Sequence, residues 1–279
     1  MIKRTVLPII IFVLLTFAGC SSQNDDGITR TEAAHTFDGY PVVYIVPDVS
    51  PEGFLAAYRA LEVPDTENVA VKLSDTEKDN GFLWTELVSE LSQSLEEPVI
   101  AENHSAVDFS DFDYLIVASH FRSHRKVGFN GAVKQTAMIP VFTEKMANAS
   151  DRQHQLEALA EAGKRSIESL SGHILYINVM DRLSIESGGY SLPDSNTYNI
   201  GILSSYDPVA LDQACVDFVY MVREGAPFAA HIAAQHGIYT LDYAEKIGLG
   251  SRTYALSMID DPFSAAALLS ANQKAKSKI

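Results

Sequence analysis

The run SHFRSHRKVGFNGAVKQ, residues 119–135, sets two histidines, two glycines and four cations within seventeen residues of an otherwise acidic chain. His120 and His124 carry imidazoles, which near neutral pH act as general bases or metal ligands. Gly128 and Gly131 can take backbone conformations closed to other residues and let a ligand come close. A helix starting near Gly131 would present free N–H groups that favour an anion, with Lys134 one turn in. The spacing G-x-x-G-x-x-K is not a Walker loop, which has a longer span and Ser or Thr after its Lys. Histidines four apart face together only on a helix. The residues between His120 and His124 read as a turn, so the spacing alone does not make them a metal pair. The bland alternative is a surface loop with a capping glycine and solvated cations.

Those residues must be positioned by the elements around them, and strands and helices alternate along the chain. PVVYIV (41–46), VAVKLS (69–74), PVIAEN (98–103), DYLIVASH (113–120), HILYINVM (173–180), IGILSS (200–205) and TYALSMI (253–259) read as strands. Residues 51–61, 84–95, 151–170, 208–223, 227–236 and 241–247 read as helices, with a short one from Gly131. The pattern predicts a layered α/β fold: a mostly parallel or mixed sheet with helices on both faces. In an open parallel sheet ligands bind beyond the carboxyl ends of the strands. Reading those ends brings up Glu102, Asn103 and His104, then Ser119 and His120, then Asn178 and Asp181, then Ser204, Ser205 and Asp207. On this rule His120, Asn178 and Asp207 are expected near one edge of one sheet. Asp207 before Pro208 is first of all an N-cap, with Pro at the first helical position. Asp212 falls mid-helix, where a carboxylate is usually solvated. Cys215 shares a helix face with Leu211, Phe218 and Val219 and reads as a small core hydrophobe. His231 and His236 read as partly buried on a helix, without a partner the sequence identifies.

The first residues give an address. Lys3 and Arg4 precede an apolar run from Val6 to Phe17 that ends in Ala18-Gly19-Cys20. That is a signal peptide over 1–19, too short for a comfortable membrane span. Cys20 after Ala-Gly resembles a bacterial lipobox, which implies acylation of Cys20 and anchorage in a lipid bilayer of the cell envelope, on the periplasmic or cell-surface side. Residues 20–40 are then a lipidated polar tether, 41–260 the α/β domain and 261–279 a helical tail. The formal net charge is −15, and loss of Lys3 and Arg4 takes it to −17. Such a surface repels nucleic acid, so none is expected as a partner. With Cys215 the remaining thiol, no iron–sulfur cluster is expected on this chain.

Several stretches carry a family resemblance. The 119–135 run resembles the SHF…GH…GFGGALKN signature of the domain-of-unknown-function 362 family. VVYIVPDVSPEGFLAAYRAL, AVKLS, IGILSSYDPVALDQACVD and HGIYTLDYAEKIGLGSRTYAL are similar to further family segments. Together they span 42–256. The resemblance carries over His120, His124, Gly128, Gly131, Lys134, Asp207 and Asp212, and implies a metal, redox or small-ligand role. His120 and His124 are the implied metal ligands. Where family members commonly show a Cys-x-Cys pair, this chain reads Ile185-Glu186-Ser187-Gly188-Gly189, and Arg122, Ser123 and Asn130 replace the more usual Lys, Gly and Gly.

Two classes of function follow. The first is a metal- or anion-dependent enzyme: His120 as base or metal ligand, Lys134 holding an anion, Asp212 as second carboxylate, and Gly128, Gly131, Asn103, Asn178 and Asp207 binding the small ligand. The second is a lipid-anchored binding or scaffold protein that lacks the catalytic parts.

Overall fold

A computed structural model describes residues 35–64, 68–74, 84–95, 98–102, 107–139, 151–170, 173–183 and 198–259. Its first strands are β1 (Thr36–Phe37) and β2 (Tyr40–Val46), an antiparallel pair. Asp38 and Gly39 join them with φ of 52° and 83°, the doubly left-handed turn that suits tight hairpins. The ordered fold thus includes residues 36–40, which the sequence reading assigned to the tether. Helix α1 (Pro51–Arg59) starts where Ser50 accepts from the Gly53 N–H at 3.0 Å, with Pro51 in the first turn. Strand β3 (Val69–Leu73) follows. The single helix expected over 84–95 is two pieces, α2 (Trp84–Leu87) and α3 (Ser89–Ser94), divided at Val88.

Next come β4 (Val99–Glu102) and β5 (Tyr114–His120). The glycine loop expected after β5 is a small hairpin, β6 (Arg122–His124) and β7 (Gly128–Asn130), leading into α4 (Ala132–Ala137). Helix α5 (Arg152–Ser169) is capped by Asp151, which accepts from the His154 N–H. Strands β8 (His173–Met180) and β9 (Gly201–Ser205) precede α6 (Pro208–Met221). After a 3₁₀ turn at Arg223–Gly225 come α7 (Ala226–Ala234), α8 (Gly237–Lys246) and β10 (Ala255–Met258).

Among the described residues the main sheet has eight strands, in the order β1-β2-β9-β8-β5-β3-β4, with β10 also on β2. Strands β4, β3, β5 and β8 are mutually parallel. Strand β9 runs antiparallel to both β8 and β2, so the sheet is mixed. Side chains alternate between two cores. Ala70, Val117, Tyr176 and Leu203 pack with α4, α6, α7 and α8 on one face. Val71, Ile116, Ile177 and Ile202 pack with α1, α2 and α3 on the other. This is the layered α/β arrangement that the alternation predicts, with the buried apolar residues of the central strands sorted to one face or the other by parity.

Candidate functional site

Polar side chains collect on the α4 side of the sheet toward the carboxyl ends of β3, β5 and β8. Lys72, Ser119 and Asn178 share parity with Ala70, Val117 and Tyr176, and so face α4 and α6. All three are buried, together with Asn130, Gln135 and Asp212. A buried polar set of this size needs a dense hydrogen-bond network to be tolerated.

Asp212 is the centre of one half of it. Instead of being solvated, its carboxylate is fully buried. Oδ1 accepts from the Ala132 N–H at 2.7 Å and from Asn178 Nδ2 at 2.8 Å, and Oδ2 accepts from the Val133 N–H at 2.9 Å. The N-terminus of α4, expected to be open to an external anion, is therefore capped by the chain's own carboxylate. A Cβ at Gly131 would collide with that carboxylate, which explains the glycine. Gly128 has φ +91°, and a Cβ there would stand 2.9 Å from Gly237 Cα. Both glycines thus admit another part of the protein, where the sequence reading expected a ligand. Burial pushes the Asp212 carboxyl up to about 6, against the three hydrogen bonds that favour its charged form.

The other half holds the cations. Lys72 Nζ donates to Gln135 Oε1 (3.1 Å), and Gln135 Nε2 donates to Asn130 Oδ1 (2.7 Å). The same Asn130 oxygen accepts from Lys134 Nζ (3.0 Å), while Asn130 Nδ2 donates to the His120 carbonyl (2.9 Å). His120 is buried, its backbone N–H bound to Ser74 Oγ at 3.0 Å. Its Nε2 lies 2.8 Å from the Asp181 carbonyl. A carbonyl can only accept, so Nε2 carries the proton and any role as base or metal ligand falls to Nδ1.

His124 sits on the hairpin, not on a helix with His120. Its Nδ1 accepts from the backbone N–H groups of Lys126 and Val127, at 3.4 and 3.3 Å. The neutral ring therefore presents Nε2–H, a donor. Burial first, then the charges of Lys134, Arg122, Lys126 and Arg125, push its pKa down to about 4. Four cations are thus felt at one imidazole. Among the described residues no group of three His, Cys, Asp or Glu side chains is placed to hold a metal ion.

Asp207 does not share this edge. Ser205 pairs with Tyr176, whereas His120 pairs with Val179, which pairs with Ile202. Because β9 is antiparallel, its carboxyl end lies three residues back along β8, about 10 Å, and Asp207 beyond that. Asp207 caps α6, as its place before Pro208 predicts: Oδ1 accepts from Val209 and Ala210 (2.8 and 2.9 Å) and Oδ2 from the Ser251 N–H (2.8 Å). Gly250 repeats the device of Gly131, since a Cβ there would collide with the Asp207 carboxylate. Asn103, Cys20 and the 185–189 stretch lie outside the described residues.

Cys215 is fully buried and accepts from Asn178 Nδ2 at 3.4 Å, the core role read from its helix face. His231 finds a partner after all, the His124 carbonyl at 3.2 Å from Nε2. The residue the sequence reading passed over is Lys72. Its signal was a lone charge inside the apolar run VAVKL. Gln135 gave no such signal, because an amide is ordinary on a short helix, whereas Ser119 stood out only as a strand end and Asn130 only as a departure from the family's usual Gly.

Comparison with known proteins gives one match. The family model described as domain of unknown function (DUF362) covers residues 71–217, just over half of the chain. No curated protein and no solved structure is significantly similar to it.

Proposed function

The chain belongs to the DUF362 family, and on that premise we propose that it is a lipid-anchored protein of the bacterial cell envelope that binds a small anionic ligand. The ligand is held beside the carboxyl ends of β3 and β5, by Lys134, the His124 imidazole and the hairpin cations. One observation carries this reading: in a chain of net charge −15, Arg122, Arg125 and Lys126 share the β6–β7 hairpin with His124, and Lys134 follows on α4. A local cationic site in an acidic molecule is where a negative ligand is welcome. The proton on His124 Nε2 suits the same partner, because it offers a donor to an anion. A metal enters this reading as part of the ligand, bound to the anion it accompanies. The envelope address rests on the Ala18-Gly19-Cys20 motif.

Calorimetry of the full chain in detergent, across phosphate, carboxylates and divalent metals, tests the site. Lys134→Ala should weaken anion binding by about 1–3 kcal/mol, the range for losing a charge-assisted hydrogen bond. Absence of heat with every anion would leave the second reading, a scaffold without a ligand. That reading is favoured by the Asp212 carboxylate already filling the α4 N-terminus. The anchor is tested separately. Cys20→Ser should abolish fatty-acid labelling and membrane fractionation, and a variant that is still labelled refutes it.

A further inference from the structure

Lys72 carries an ammonium group into the middle of a strand whose five residues are all buried, and is itself 1% exposed. Taking an ammonium out of water costs several kcal/mol even after relaxation, so specific interactions must offset it. One is the contact with Gln135, and it opens a chain of contacts: Lys72 Nζ to Gln135 Oε1, Gln135 Nε2 to Asn130 Oδ1, and Asn130 Oδ1 from Lys134 Nζ. Two cations bracket a pair of side-chain amides, and each amide oxygen faces a cation. The order of donors and acceptors leaves no freedom to flip either amide.

A second observation lies on the same face of the sheet. Among the described residues, Ser119 Oγ and Asn178 Oδ1 are buried without a hydrogen-bond partner. They occupy paired positions on β5 and β8, one same-face step beyond Val117, the register partner of Lys72. Nearly all buried polar atoms in native proteins are satisfied. The Ser119 hydroxyl can donate to a bound anion, whereas Asn178 Oδ1 can only accept and calls for a donor such as a water held between the two.

We infer that Lys72 is a second fixed positive charge of the anion site, which makes the preferred ligand a dianion of the phosphate or phosphate-monoester class over a monocarboxylate. The inference rests on the anion reading above and adds the ligand's charge class. Lys72 is a positioning residue: through Gln135 and Asn130 it holds the Lys134 ammonium, and its field reaches the ligand with little screening by solvent ions.

Titration of the full chain in detergent with inorganic phosphate and with acetate tests it, at about pH 8, where a phosphate carries close to two charges. The unsubstituted chain should prefer phosphate by at least about tenfold, or ~1.4 kcal/mol. Lys72→Met should bring that preference to within about threefold while acetate binding stays, and Lys72→Arg should restore it, as expected for loss and return of one charge. If circular dichroism shows Lys72→Met unfolded, Gln135→Glu replaces it: a carboxylate set against Lys72 should erase the preference in a folded protein. A preference left unchanged in the variant, or equal loss of both anions, overturns the inference and leaves the anion reading standing. No heat with either anion in the unsubstituted chain overturns both.

Discussion

Gly131 has φ −158°, ordinary extended backbone that any residue adopts, so conformational freedom is not why a glycine stands there. The reason is the Asp212 carboxylate, 80 residues from Ala132 in sequence and 2.7 Å from its N–H. Gly131→Ala should therefore destabilise the protein by overpacking, about 1–3 kcal/mol. Asp212→Ala should cost about 1–3 kcal/mol as well, because it strands the Ala132 and Val133 N–H groups and Asn178 Nδ2. The double variant should cost at least ~1 kcal/mol less than the sum, since the added methyl then enters the space the carboxylate leaves. Urea unfolding of the four proteins measures this coupling. Strict additivity would mean that the glycine answers to something other than Asp212.

Among the elements, the direction of β9 decides which carboxylate belongs to the site. Parallel strands need a crossover, usually a helix, whereas antiparallel neighbours do not. No helical period lies between Met180 and Ile200, and the Leu183–Tyr198 bridge continues the antiparallel pairing beyond β8. That absence was legible before any coordinates. The strand-end rule, applied to a mostly parallel or mixed sheet, nonetheless counted β9 with the parallel strands and so placed Asp207 beside His120. With β9 reversed, α6 starts at the far edge and runs back across the sheet. Five residues of helix, about 7.5 Å, carry the chain from the Asp207 cap to Asp212 beneath α4. The D-P-V-A-L-D segment is thus two caps on one helix, one for α6 itself and one for α4.

At the scale of the whole molecule, buried acids and buried histidines give opposed pH dependences. Burial raises Asp207 and Asp212 from 3.8 to about 6. Their contribution to stability is full below the unfolded value and is lost as pH rises through about 6. Burial lowers His35 and His124 from 6.5 to about 4. Theirs is full above 6.5 and is lost as pH falls toward 4. Between pH 4 and 6.5 the two slopes oppose each other, so the unsubstituted chain should show a shallow stability profile. Asp207→Asn should unmask the histidines, steepening the loss on acidification by about 1–2 kcal/mol over that interval. His35→Phe should do the reverse, because His35 lies against Tyr206 with ring centroids 4.5 Å apart and phenylalanine keeps the ring without the charge. Melting curves at pH steps across the interval check both. Profiles that all run parallel would show that these groups do not titrate differently in the fold.

The sequence by itself determined the α/β layering, the cap at Asp207 and the core role of Cys215. Each is set by residue type and period within one short segment: alternating apolar positions, a capping side chain before proline, a helix face of one kind. It also brought out the run that begins at the end of β5, in which His120, His124 and Lys134 fall. Only the tertiary structure decided what the glycines make room for, that Asp212 and not an outside anion caps α4, and that Lys72 joins Lys134 through Gln135 and Asn130. Those outcomes depend on contacts between segments 63 to 80 residues apart. Local propensity says nothing about such pairs, because a carboxylate on a helix reads the same in sequence whether the helix turns it to water or against the first turn of another helix.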